Sequence, residues 1–232
     1  MKVVNIFIIT MGALGLITQA HAKVGYGISQ QETDPHLTIG DKGGEPALGI
    51  SSHLGGALFP ASILKNLATR DSNGVYRFKT PLYGHNKIDI AQIPGTEVYY
   101  GEWSHGSGAE SDKTHTVFYA GKDVTTNMPK GGKATYKVSG ISQYNGHNLL
   151  QGKMTADFDK QQLDGSLSNK DRRVDMHGNI NSDAGFSGIA KDNGTNGTVD
   201  GKFFGNGASD IAGYAKFDSD RKKDIAFGGH KQ

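Results

Sequence analysis

From about residue 135 to the C-terminus, short strand-like runs alternate with turn residues at so regular a spacing that an antiparallel sheet is the natural outcome. The pattern is clearest around Gly201-Lys202-Phe203-Phe204-Gly205-Asn206-Gly207 and the run from Ile211 to Phe217. Phe203 and Phe204 suit a strand, and Gly-Asn-Gly supplies positive-φ turn positions. Ile211, Gly213, Ala215 and Phe217 fall on one face of a second strand. About eight strands are expected, near 135–141, 149–158, 162–167, 173–180, 185–191, 197–204, 210–217 and 224–230. The joints carry Asn-Gly, Asp-Lys, Ser-Asp and Asn-Gly-Thr-Asn-Gly, all hairpin chemistry. Eight antiparallel strands can close into a barrel filled by side chains, which also removes exposed edges. The 34 glycines, without a collagen period, agree with many turns.

The N-terminus has a different character. Lys2 precedes an apolar run from Val3 to Ile17, and Ala20-His21-Ala22 is an A-x-A cleavage signal. A signal peptide over 1–22 is expected, with a membrane anchor as the alternative. There is no cysteine, so neither disulfides nor a lipid-bearing cysteine are available, and no later segment is apolar enough to span a membrane. A formal net charge of +2 with no basic face gives no reason to expect nucleic acid.

Residues 23–127 read as one unit and 128–232 as another, divided at the Asn127-Met128-Pro129-Lys130-Gly131-Gly132 punctuation. In the first unit, Leu54, Leu58, Phe59, Ile63, Leu64 and Leu67 recur at roughly helical spacing. Ser51 or Ser52 would be the N-cap, and Pro60 would bend or restart the helix. Strands are expected at 75–78, 87–93, 97–103 and 114–119, with a flexible Gly-rich loop at 105–108. Asp34-Pro35-His36-Leu37 reads as a turn.

Several runs resemble the C-terminal barrel of transferrin-binding-protein-B-like surface proteins. They are Ala134-Thr135-Tyr136-Lys137-Val138, the 157–167 hairpin, Phe186-Ser187-Gly188-Ile189-Ala190, the Gly201–Phe217 stretch and Ile225-Ala226-Phe227-Gly228-Gly229-His230-Lys231. With a single barrel, a short N-terminal part and no lipidated cysteine, the layout is similar to the hemophilin family of secreted haemophores. The resemblance implies a mainly β protein, with a small α+β clamp-like haem-binding domain followed by an eight-stranded antiparallel β-barrel. It further implies a non-enzymatic protein secreted from a Gram-negative bacterium via the periplasm. The implied partners are a Slam-type outer-membrane translocon and a TonB-dependent outer-membrane haem receptor. The hairpin at 201–217 is then expected to close the barrel.

Haem needs an axial ligand, an apolar slot and partners for its propionates. His36, His53, His85, His105 and His115 lie in the first unit, and His147, His177 and His230 in the second. Cofactor-binding candidates are His36, His105, His53 and His85, with His36 and His105 favoured as iron ligands. The plain alternatives are a turn residue for His36, a loop residue for His105, a cap for His53 and open surface for His85. His115 reads as part of a polar strand face. Tyr76, Tyr83, Tyr99 and Tyr100 offer tyrosinate or stacking groups, and Lys65, Arg70, Arg77 and Lys87 could pair with propionates. No G-x-S-x-G, H-E-x-x-H or P-loop is present, and no nucleophile–base pair suggests a hydrolase. The alternative to a haemophore is a secreted or surface-retained adhesin that binds a host protein through the barrel without a cofactor.

Overall fold

The computed structural model describes residues 23–81, 85–107 and 109–232. The expected signal peptide and Tyr83 lie outside the described residues. Strand β1 (Gly25–Ile28) precedes a three-stranded antiparallel meander of β2 (His36–Asp41), β3 (Pro46–Ser52) and β4 (Gly55–Pro60). Helix α1 (Ala61–Leu67) follows, then β5 (Thr69–Arg70), β6 (Tyr76–Thr80), β7 (Asn86–Gln92), β8 (Val98–His105), α2 (Ala109–Thr114) and β9 (Thr116–Gly121). Strand β1 returns to pair with β9, giving a six-stranded antiparallel sheet in the order β1-β9-β8-β7-β6-β5.

The long helix expected over 54–67 is half strand. Only Ala61–Leu67 is helical, and Gly55–Pro60 forms β4, paired to β3. Pro60 has no N–H and a fixed φ, so it starts a helix better than it continues one, while Gly55 and Gly56 are poor helix formers. Ser52 caps no helix: its Oγ accepts from the Leu54 N–H at 3.1 Å inside the β3–β4 turn. The strands pack closely here, since a Cβ on Gly49 would lie 1.9 Å from the Ala57 carbonyl oxygen. The Gly-rich segment before residue 60 is therefore sheet, and α2 fills the stretch between the loop expected at 105–108 and the strand expected at 114–119.

The barrel comprises β10 (Lys133–Ile141), β11 (Leu150–Asp157), β12 (Gln162–Ser168), β13 (Arg173–Ile180), β14 (Gly185–Asp192), β15 (Thr195–Phe204), β16 (Asp210–Lys216) and β17 (Ile225–Lys231). Its strands meander up and down in sequence order, and β10 pairs with β17 to close it. Closure thus comes from the first and last strands, not from the β15–β16 hairpin. That hairpin has another role, set by strand alternation. Phe203 points inward, where its ring lies 6.0 Å from Tyr136, 5.9 Å from Phe158 and 5.6 Å from Phe186, centroid to centroid. Phe204 points outward and meets Tyr119 of the six-stranded sheet edge-on at 6.4 Å. Both rings are fully buried, each contributing about 1.5–3 kcal/mol of apolar burial.

The six-stranded sheet is covered on both faces. Val98, Tyr100, Val117 and Tyr119 pack on the barrel wall. A side chain at Gly228 would put its Cβ 2.5 Å from the Tyr100 ring, so glycine there lets the wall approach. Ile88, Ile90, Tyr99, Trp103, Phe118 and Ala120, on the opposite face, pack against Leu37, Ile39, Leu48 and Ile50 of the small sheet and Leu64 of α1. Tyr99 and Tyr100 are therefore core residues. Burial pushes the Tyr99 phenol up to about 12 and Tyr100 further, so neither supplies a tyrosinate at neutral pH.

Candidate haem-binding cleft

An apolar cleft of about 340 Å³ opens between the small sheet, α1 and the six-stranded sheet. Leu48 and Ile50 come from β3, Ala57 and Phe59 from β4, Ile63, Leu64 and Leu67 from α1, and Phe78, Thr80 and Ile88 from β6 and β7. Its mouth is unusually apolar: Phe59 is 44%, Ile63 48% and Leu67 68% exposed, next to Leu54 at 74%. Exposed apolar side chains concentrated at one opening mark a binding groove. Strand alternation builds it, since Ala57 and Phe59 share the β4 face that turns inward.

The four candidate histidines fall into two pairs, one around Asp34 and one around Asn86, and none of them is among the residues that line this cleft. His53 lies in the β3–β4 turn, beside the lining residues Gly56 and Ala57. Its Nδ1 is 2.5 Å from Oδ2 of Asp34, and its backbone N–H donates to Oδ1 of Asp34 at 3.2 Å. The His53 hydrogen bond holds the Asp34 carboxyl below its ordinary value, with a further electrostatic contribution from His36. His36 opens β2 directly after Asp34-Pro35. Alternation places it on the β2 face of Thr38, opposite the core residues Leu37 and Ile39.

The second pair surrounds Asn86. His85 ends the β6–β7 connection, is exposed, and accepts from the Gly106 N–H through its backbone oxygen at 2.8 Å. It lines a second cleft of about 510 Å³ with Lys79, Thr80, Pro81 and Lys87; Thr80 borders both clefts. His105 ends β8, directly across from Asn86 in the β7–β8 register. The Asn86 Oδ1 accepts from Trp103 Nε1 at 2.9 Å and lies 3.3 Å from His105 Nδ1. The imidazole stacks near Trp103, with 6.4 Å between ring centres.

The expected propionate cations divide. Arg77 and Lys87 turn to the barrel side, where Arg77 grips Asp89 at 2.6 and 2.9 Å and Lys87 lies 3.3 Å from it. Lys65 is engaged outside the cleft lining, with its Nζ 5.4 Å from the Tyr76 ring centre and 2.9 Å from Gln92 Oε1. Arg70 lies over the same ring. Sequence reading missed Asp34, which carries no motif, and Lys42, whose ammonium sits 5.6 Å above Phe59.

His115 is buried rather than part of an open polar face. Its Nε2 is 2.8 Å from Glu102 Oε2, and its Nδ1 is 2.8 Å from the Arg221 carbonyl oxygen. Both neighbours are acceptors, so both ring nitrogens must donate, which only imidazolium can do. Burial opposes the charge, but Glu102 and the carbonyl win, and the His115 pKa is raised. The same partner, with Lys87 and the Tyr144 N–H, brings Glu102 down to about 2 against its burial. This cluster joins the sheet to the barrel and lies away from the apolar cleft.

Among the described residues, no cluster of three or more His, Cys, Asp or Glu could hold a bare metal ion, and no helix is long and apolar enough to cross a membrane. Iron within a porphyrin needs only axial ligands from the protein, which histidines beside an apolar slot can supply.

Residues 126–231 match the family model of the HphA C-terminal domain, and residues 12–116 match that of the HphA N-terminal heme-binding domain. An uncharacterized protein of Haemophilus influenzae is 30% identical over 113 residues, 44% of this chain. The match spans 38% of that relative's length. The fold is similar to that of HpuA from Kingella denitrificans in complex with human haemoglobin, with a TM-score of 0.61 and 16% identity over 93% of this chain and 89% of that one. Apo HpuA, the haemoglobin receptor of that organism, gives 0.62 and 17% over 93% and 88%. Intact Ap-TbpB, with its N and C lobes, gives 0.53 and 16% over 90% of this chain and 46% of that one. At these identities the structural likenesses establish a shared fold. With both halves matched in order, the chain belongs to the hemophilin family, and haem is the ligand of its N-terminal half.

Proposed function

We propose that the protein is a secreted haemophore. It holds haem in the cleft between the small sheet, α1 and the six-stranded sheet, and hands it to a TonB-dependent outer-membrane receptor for iron acquisition. The observation that carries this reading is an apolar slot within the half of the chain that matches the heme-binding family model. The slot lies near the lower end of the volume range of small-molecule sites, which suits partial enclosure of a flat macrocycle. His53 and His85 are the axial ligands in this reading, because His53 precedes β4, which carries the lining residue Ala57, and His85 precedes Asn86, which pairs with the lining residue Thr80. His36 lies on the strand face opposite the core residues Leu37 and Ile39, and His105 stacks near Trp103. Bound haem would supply the iron, and two histidines would close both axial positions, which suits carriage rather than oxygen chemistry. Lys42, whose ammonium lies over the lining residue Phe59, is the propionate partner in this reading.

The apolar run after Lys2 and the Ala20-His21-Ala22 signal support export to the periplasm. A Slam-type translocon then carries the chain outward, with 23–127 as the haem-binding unit and 128–232 as the barrel unit. The likeness to HpuA in complex with human haemoglobin also favours a second reading, in which the protein docks directly on a host haemoprotein. Retention of apo-haemoglobin by a variant with a blocked cleft would support that reading.

Ile63→Asp and Leu67→Asp test the cleft itself. Both residues are largely exposed, so the melting temperature should stay near that of the wild type. Removing apolar contact and adding charge should weaken haem binding by about tenfold or more, on the order of 1.4 kcal/mol. Unchanged haem affinity in both variants would place the ligand elsewhere.

A further inference from the structure

Asp34 and His53 are 19 residues apart in sequence, yet one carboxylate reaches both the ring and the backbone of the other residue. The pair is open to solvent, with side-chain exposures of 48% and 74%. Exposed pairs of this kind add little to folding stability, so stability gives this two-point contact little purpose. Its effect on the imidazole is specific. With Nδ1–H donated to Asp34, the Nε2 lone pair is left free, and among the described residues Nε2 has no hydrogen-bond partner. The backbone contact fixes the turn that carries the ring, so the carboxylate sets both tautomer and direction. A carboxylate behind a histidine is also the usual arrangement by which proteins orient a metal-binding imidazole and raise its basicity.

We infer that Asp34 is a positioning residue: it holds His53 in the Nδ1–H tautomer with Nε2 presented to the cleft, and strengthens that nitrogen as a donor to iron. This inference rests on the haem site proposed above. Asp34 touches no haem atom in this account and acts through His53 alone. A more basic ligand favours ferric over ferrous iron, so Asp34 also lowers the midpoint potential of the loaded protein.

The test uses the full chain and its Asp34→Asn, Asp34→Glu and His53→Ala variants. In the haem-free protein, nitrogen–proton correlation spectra should show His53 protonated at Nδ1 in the wild type and shifted towards Nε2–H in Asp34→Asn. Loaded with haem, Asp34→Asn should release it to an excess of a haem-scavenging apoprotein about 10–100-fold faster. Its midpoint potential should rise, and Asp34→Glu should recover most of both effects. If Asp34→Asn leaves tautomer, release rate and potential at wild-type values while His53→Ala changes the haem spectrum, the positioning role is wrong and the haem site stands. If His53→Ala leaves the spectrum of the loaded protein unchanged, both the ligand assignment and this inference fall.

Discussion

Replacing His53 and His85 together by alanine is expected to lower haem affinity by about two orders of magnitude or more, roughly 3 kcal/mol, and to remove the spectrum of six-coordinate iron. Both side chains are exposed and stand outside the core, so the fold should survive with a melting temperature close to that of the wild type. Each single variant should leave a five-coordinate spectrum, with the remaining histidine still bound. His147→Ala serves as control, since that residue is exposed in the connection between β10 and β11. Absorbance spectra of the loaded variants and competition for haem would read the result. A double variant with the wild-type spectrum would show that His53 and His85 are not the axial ligands.

The second large effect concerns the joint between sheet and barrel. Removing one partner of a buried ion pair leaves the other charge uncompensated, so His115→Ala should cost about 3–5 kcal/mol at pH 6. The pH dependence follows from the two shifts. A histidine whose folded pKa is raised contributes fully below its ordinary value of 6.5, and its contribution is lost as pH rises through the raised value. A carboxyl brought down to about 2 contributes above its ordinary value of 4.5 and loses that contribution as pH falls towards 2. The pair therefore stabilises most between those ordinary values. The penalty of His115→Ala should shrink on the alkaline side, where the wild-type imidazole loses a proton and one of its two acceptors loses its donor. Denaturant unfolding of the haem-free protein across pH 4–9 would measure this. A penalty below about 1 kcal/mol at pH 6, or one constant with pH, would mean that the pair is not charged.

The barrel was legible in the sequence because inward and outward residues alternate along each of its strands and turn residues mark the ends. Each expected strand coincides with an observed one, its ends shifted by no more than two residues. Phe203 and Phe204 show how far that reading goes. Both are plainly strand residues, but which one fills the barrel and which meets Tyr119 depends on register, which is set by closure of β10 on β17.

The N-terminal half was less legible for a physical reason: its sheet is made by distant segments. Strand β1 finds β9 across nearly a hundred residues, a pairing with no local signal. A short apolar run such as Gly55 to Leu67 satisfies strand and helix patterns alike until Pro60 and the close approach at Gly49 decide between them. The same holds at the site. Histidines were visible as residues, and their clustering in the first half was apparent. Their grouping around Asp34 and Asn86 depends on β2–β3 and β7–β8 pairing. Asp34 itself looked like an ordinary turn aspartate. His115 was placed on a polar strand face because its partner Glu102 belongs to a different strand and the barrel that covers them comes from beyond residue 132.

Haem titration of the purified full-length protein, followed by absorbance, tests most directly whether this chain carries haem in the apolar cleft of its N-terminal half with His53 and His85 as axial ligands. The expected result is a saturable, one-to-one shift of the Soret band to the position of bis-histidine iron, abolished in the His53→Ala/His85→Ala variant and retained in His147→Ala. A spectrum that stays that of free haem throughout the titration, or one that shifts equally in all three proteins, would contradict it.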